Sequence, residues 1–124
     1  MKSVEHDEQA ALFRWAEMMK RKYPELELMY AVPNAARRSP RQGAWMKAEG
    51  MKAGVPDVHL PVANGSYIGL WIEMKAGKNK PSEHQARYME ALRKAGHRTV
   101  VCYSWASAAK DIEEYLSMPR RVAA

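Results

Sequence analysis

Asn64-Gly65-Ser66 stands between two short runs of alternating character, Asp57 to Pro61 and Gly69 to Lys75. An Asn-Gly pair between such runs predicts a β-hairpin, because it supplies the positive φ that a tight turn needs. Turning about Gly65 sets Val58 opposite Ile72 and Leu60 opposite Leu70. That apolar face must be buried, and burial fixes the register, since a slip of one residue would turn every side chain to the wrong side. The same register puts Asp57 directly across from Glu73, with side-chain carbons about 5 Å apart, and places Lys75 two residues on along Glu73's side of the strand. A fold built on this hairpin buries one face and has two acids and an amine gathered on the other.

The rest of the chain supplies the layers. From Glu5 to about Tyr23, Leu12, Trp15, Ala16 and Met19 recur at helical spacing, with Phe13 and Met18 widening the stripe. Pro24 stops that helix, and the alternation of Leu26, Leu28, Tyr30 and Val32 up to Pro33 predicts a first strand. Gly43 to Met51 has room for a short helix carrying Trp45 and Met46. Ser82-Glu83-His84-Gln85 opens a helix with Met89, Leu92 and Ala95 on one face, closed by Gly96. Thr99 to Tyr103 reads as a buried strand, and a last helix from about Trp105 carries Ala108, Ile112, Tyr115 and Leu116 before Pro119. The order predicts an α/β fold with a four-stranded mixed sheet flanked by helices. At 124 residues the chain is expected to form one domain over residues 1–124.

Charge adds a partner class. Twenty Lys+Arg against 14 Asp+Glu give +6, and a pI near 9.5 favours polyanions at physiological pH. The charge is concentrated between Asn34 and Lys52, where Arg37, Arg38, Arg41, Lys47 and Lys52 face Glu49 alone. Trp45 sits among them, and its two readings are stacking on an unpaired base and, the favoured one, core packing. The single cysteine, Cys102, excludes an internal disulfide, and no Cys/His cluster has zinc spacing. No apolar run has the roughly 18 to 20 residues of a membrane span, and the start, MKSVEHDEQ, turns acidic where a signal peptide would be apolar. The expectation is a cytoplasmic protein without a membrane segment.

Two carboxylates opposed on a sheet repel, so protonation, Lys75 or a shared cation must compensate them. A divalent ion is the natural answer, since hard ions take carboxylate oxygens plus waters, and beside a basic surface the next ligand is a phosphate oxygen. That combination is hydrolytic phosphodiester chemistry. The plainer alternative makes Asp57 a turn cap and Glu73–Lys75 a solvated strand-edge pair. His59 shares the acidic face with Trp71, as packing or substrate contact, while His84 and His97 are expected on the surface.

Gly54-Val55-Pro56-Asp57 followed by Ile72-Glu73-Met74-Lys75 resembles the signature of the PD-(D/E)XK nuclease superfamily, and more narrowly the VRR-NUC family. Glu5…Gln9, Gly54…Asp57, Glu73…Lys75 and Ser82…Gln85 stand in that family's order across nearly the whole chain. The resemblance implies a restriction-endonuclease-like αβββαβ core. It also implies that Asp57, Glu73 and the main-chain carbonyl of Met74 bind Mg²⁺ or Mn²⁺, with Lys75 orienting the attacking water and stabilising phosphate charge. Glu5 would approach the metal through water; Glu8, one turn on, is the alternative, and either acid can simply complement the helix dipole. Gln85 would face the site, although Ser82-x-x-Gln85 also fits a capping box. Arg37, Arg38, Arg41 and Lys47 would lie along the nucleic-acid backbone. The function so implied is a structure-selective endodeoxyribonuclease acting on branched or four-way DNA as a homodimer in replication, repair or recombination; the rival is a non-catalytic nucleic-acid-binding module on the same fold.

Overall fold

The computed structural model describes residues 4–33 and 39–119. Helix α1 spans Val4–Met19, and a short 3-10 helix, Pro24–Leu28, leads to strand β1, Tyr30–Ala31. Helix α2, Pro40–Ala48, precedes the hairpin strands β2, Val58–Leu60, and β3, Leu70–Met74. Then come α3, Glu83–Lys94, β4, Arg98–Cys102, and α4, Trp105–Leu116. The sheet order is β1-β2-β3-β4, with antiparallel pairing except between β3 and β4, which run parallel through the α3 crossover. No helix among the described residues is long and apolar enough to cross a membrane.

The hairpin register is the expected one, with Val58 opposite Ile72 and Leu60 opposite Leu70. Both pairs are fully buried and join Leu12 and Ala16 of α1 and Ala108, Ile112 and Tyr115 of α4 in one core. The turn itself runs one residue out of step, pairing Asn64 with Tyr67. The extra residue is absorbed before the turn, where the Val62 N–H bonds back to the Leu60 carbonyl at 2.9 Å. Buried Asn64 anchors this end of the hairpin by donating to the Tyr115 carbonyl at 3.1 Å, while the Tyr115 hydroxyl donates to the Val62 carbonyl.

Two expectations need correction here. The first strand does not run from Leu26 to Val32: Pro24 fits the first position of a helix, where its missing N–H is no loss, and a 3-10 turn forms instead. Leu26 and Met29 are the buried pair, a spacing of three, while Leu28 is exposed. Only Tyr30 and Ala31 remain as an edge strand. The short helix begins earlier than Gly43, because Ser39 and Gln42 form a capping box and Pro40 takes the first turn. Trp45 is not core: it is 71% exposed.

Candidate active site

The side chains that alternate with the buried face belong to the other side of the sheet. On β3 these are Trp71 and Glu73, and on β2 His59, with Asp57 just before the strand. Asp57 continues the pairing, since its carbonyl accepts from the Val32 N–H at 2.8 Å. Its carboxylate Oδ2 accepts from the Met74 N–H at 2.8 Å. In a strand a residue's N–H and C=O point to the same side, so the Met74 carbonyl is also turned toward the Asp57 flank.

Glu73 is 2% exposed and stands at the centre of the site. Its Oε2 accepts from the Gln85 amide at 3.1 Å and lies 3.4 Å from the Lys75 ammonium. Its Oε1 is buried with no hydrogen-bond partner among the described residues. Burial first, and the adjacent Asp57 carboxylate second, push the Glu73 carboxyl from 4.5 up to about 8 against the pull of Lys75. A buried acceptor left without a donor costs about 1–3 kcal/mol. Two neighbouring carboxylates, an unengaged oxygen and a carbonyl turned the same way form a hard-oxygen donor set, which fits a divalent cation.

Gln85 does two jobs. Ser82 caps α3 by accepting from the Gln85 N–H at 3.1 Å, and the Gln85 Oε1 accepts from the Ser82 N–H at 2.8 Å. With its oxygen committed to the backbone, the amide nitrogen is the end that faces Glu73, so the expected capping role and the expected site role coexist in one side chain.

Gly54 makes that approach possible. Its φ is +86°, and a Cβ there would lie 2.9 Å from the His84 carbonyl oxygen. The loop carrying Asp57 therefore rests directly on the first turn of α3. The two border a cleft of about 620 Å³ whose far wall is α2, with Asp57, Gln85, Gly43, Lys47 and Lys52 among its lining residues. Lys47 was an expected phosphate contact. Lys52 and the cleft position of His84 were not singled out as site residues, although Lys52 stands two residues before the Gly54 turn.

The remaining candidates are placed as follows. Glu5 lies half-buried in the first turn of α1. Glu8 is engaged elsewhere, accepting from the Trp105 N–H at 2.7 Å at the start of α4. Among the described residues no group of three His, Cys, Asp or Glu comes together to hold an ion, so Asp57 and Glu73 stand as a pair. Arg41 is exposed on α2, and Arg37 and Arg38 lie outside the described residues. Farther along the same sheet face, His59 stacks on Trp71 with centroids 3.7 Å apart and meets the Tyr30 hydroxyl at 2.7 Å. The Trp71 indole N–H donates to His97 at 3.2 Å, so His97 is tied into this cluster and only partly exposed. Burial, then the nearby His97, hold the His59 imidazole down at about 4.

A solved structure of a VRR_NUC domain protein is similar to this chain with a TM-score of 0.79 and 26% identity, covering 97% of this chain and 93% of its own. A mixed four-stranded sheet flanked by four helices, with an acidic pair and a lysine on one face, is thus the architecture of a nuclease-type α/β domain. The VRR-NUC domain model matches residues 3–106, and the chain belongs to that family. No curated protein matches it.

Proposed function

We propose that this domain is a metal-dependent endodeoxyribonuclease, selective for branched or four-way DNA and acting in replication, repair or recombination. The observation that carries the reading is the buried, unengaged Oε1 of Glu73 in a carboxylate that adjoins Asp57 and holds Lys75 3.4 Å from its other oxygen, Oε2. A turn cap and a solvated ion pair would not bury an acid at 2% exposure and leave half of it without a partner. Asp57, Glu73 and the Met74 carbonyl would hold Mg²⁺ or Mn²⁺. When bound, such an ion polarises the phosphate and acidifies a water for attack.

The chain's own groups do the rest. The Met74 N–H fixes the Asp57 carboxylate, and Gln85 fixes Glu73 through Oε2, so both acids are oriented before substrate arrives. Lys75, 13% exposed, keeps its ammonium where negative charge grows on the phosphate and where the attacking water must be aligned. Glu5 acts through water from α1. Lys47 in the cleft wall and Arg41, with Arg37 and Arg38 of the same basic stretch, would contact phosphates of the nucleic-acid backbone. Such contacts position DNA without reading bases, which supports recognition of structure over sequence.

Cutting both strands of a junction symmetrically takes two sites, and each chain carries one, so the active form is a homodimer. Light scattering at micromolar concentration should give about twice the 14.1 kDa chain mass. Incubation with labelled linear, flapped and four-way DNA in Mg²⁺, Mn²⁺ or EDTA tests the activity. Cleavage of branched substrates that EDTA abolishes is the expected result; binding without turnover in either metal would make the protein a non-catalytic module.

A further inference from the structure

Lys47 and Lys52 line the cleft that holds Asp57, and neither enters an ion pair among the described residues. An ammonium group donates and cannot accept. Ser39 and Ser82, on the same lining, each accept a capped N–H through Oγ, at 3.2 and 3.1 Å, which leaves the hydroxyl proton free to donate. Asp57 is the one acid of the lining among the described residues, and it belongs to the catalytic pair. The rest of the cleft therefore suits a ligand that is negatively charged and rich in acceptors. Lys52 is carried on a short segment fixed at both ends. Before it, Gly50 at φ +106° closes α2 with the paired bonds of a Schellman turn, from its own N–H to the Lys47 carbonyl at 3.0 Å and from the Met51 N–H to the Met46 carbonyl at 3.1 Å. After it, Gly54 rests on the His84 carbonyl.

We infer that Lys52, together with Lys47, holds a phosphate one or two steps from the one that is cut, so that the cleft is the path of the cleaved strand. The inference rests on the nuclease reading above and adds to it a residue, Lys52, that grips one particular phosphate. A cleft of about 620 Å³ is about 10 Å across. Successive nucleotides of a duplex strand rise about 3.4 Å, so a strand whose cut phosphate lies at Asp57 places its near neighbours inside the same cleft. There the two ammonium groups meet charge that a strand supplies at every step. A second copy of the chain is a poorer occupant: it carries +6 overall, and seated here it would cover Asp57.

The test uses the full chain and a labelled DNA prepared as a set, in which one phosphate at a time around the mapped cut is replaced by an uncharged methylphosphonate. A contact of this kind is worth about three- to thirtyfold. Lys52→Ala should raise KM by that factor, with kcat unchanged, on every member of the set except the one whose neutral linkage is the phosphate Lys52 holds, where it should cost nothing further. In EDTA, anisotropy should show the slope of log affinity against log salt flatter by about 0.9 for Lys52→Ala. The slope should be unchanged for Lys110→Ala, which removes the same charge from α4 on the other face of the sheet. Circular dichroism melts confirm that both variants are folded. An equal loss on every member of the set, or equal flattening by both variants, overturns the inference in favour of general attraction to positive charge, and no loss on any member overturns it outright. DNA bound with the expected salt slopes but never cut overturns the nuclease reading instead and leaves the phosphate contact in place.

Discussion

Replacing Gly54 with alanine separates two penalties that the structure makes distinguishable. At φ +86° an L-residue is strained, and a left-handed conformation costs about 1–2 kcal/mol. The new methyl would also sit 2.9 Å from the His84 carbonyl oxygen, a backbone atom that cannot rotate away. Relieving such an overlap moves the Asp57 loop off α3, and overpacking of this kind costs about 1–3 kcal/mol. Together the two give a loss of about 2–5 kcal/mol. Gly50 provides the control: its φ is +106°, but a Cβ there meets nothing within 4 Å, so Gly50→Ala carries the backbone penalty alone. For a chain of this length each kcal/mol lowers Tm by about 3–6 °C. Urea unfolding of wild type and both variants should therefore show Gly54→Ala less stable than Gly50→Ala by about 1–3 kcal/mol. Cleavage by Gly54→Ala should fall well below its melting temperature, because the displaced loop moves Asp57 relative to Glu73. Equal stabilities for the two variants, or full activity in Gly54→Ala, would refute the claim that loop and helix are in obligatory contact.

Asp57→Ala, Glu73→Ala and Lys75→Ala should each abolish cleavage while remaining folded; turnover at the wild-type rate removes that residue from the mechanism. Asp57→Asn, which keeps an acceptor for the Met74 N–H, should melt no lower than wild type in EDTA yet miss the gain of about 1–3 kcal/mol that an ion at ten- to a hundredfold its Kd confers, and parallel melts in Mg²⁺ and EDTA would count against a metal there. Because the His59 imidazole is held at about 4 in the fold and titrates near 6.5 when unfolded, the unfolded chain takes up the proton first. Stability should thus fall as pH drops from about 6.5 to 4, and urea midpoints across that window should fall less steeply for His59→Phe than for wild type. Neutralising Arg37, Arg38, Arg41 and Lys47 together should weaken DNA binding on all sequences and flatten its salt dependence; an unaltered salt slope places the phosphate track elsewhere.

The hairpin was legible because its apolar alternation admits a single burial pattern. The register emerged correctly although the Asn64–Tyr67 turn is offset, since burying Val58, Leu60, Leu70 and Ile72 together decides pairing more strongly than turn geometry does. The first strand is shorter than its pattern because Leu26, Leu28 and Tyr30 mimic a period of two, while Pro24, which ends one helix, also opens a helical turn. At Ser39 a capping box of the same Ser-x-x-Gln form as Ser82 starts α2 at Pro40, three residues before Gly43. Trp45 misled for a different reason. Hydrophobicity predicts burial on average, and the Trp45 indole, 71% exposed on α2, departs from that average. The acidic pair was visible as spacing, but the unengaged oxygen of Glu73 and the Gly54–His84 contact are properties of three-dimensional packing that spacing does not encode.

The double bonding of Gln85 restricts substitution in a way that helix rules alone do not. At the third position of a capping box glutamate and glutamine are interchangeable, since either side chain can accept from the Ser82 N–H. The neighbour breaks that equivalence. Glutamine presents a donor to Glu73 Oε2, whereas glutamate would bring a third carboxylate against a pair in which burial, and then repulsion by Asp57, already raise Glu73. A change of one amide to one acid, silent for the helix, would thus be read at the far end of the side chain as an added negative charge. Position 85 is therefore held to glutamine by the strand it touches, while the helix it begins is indifferent.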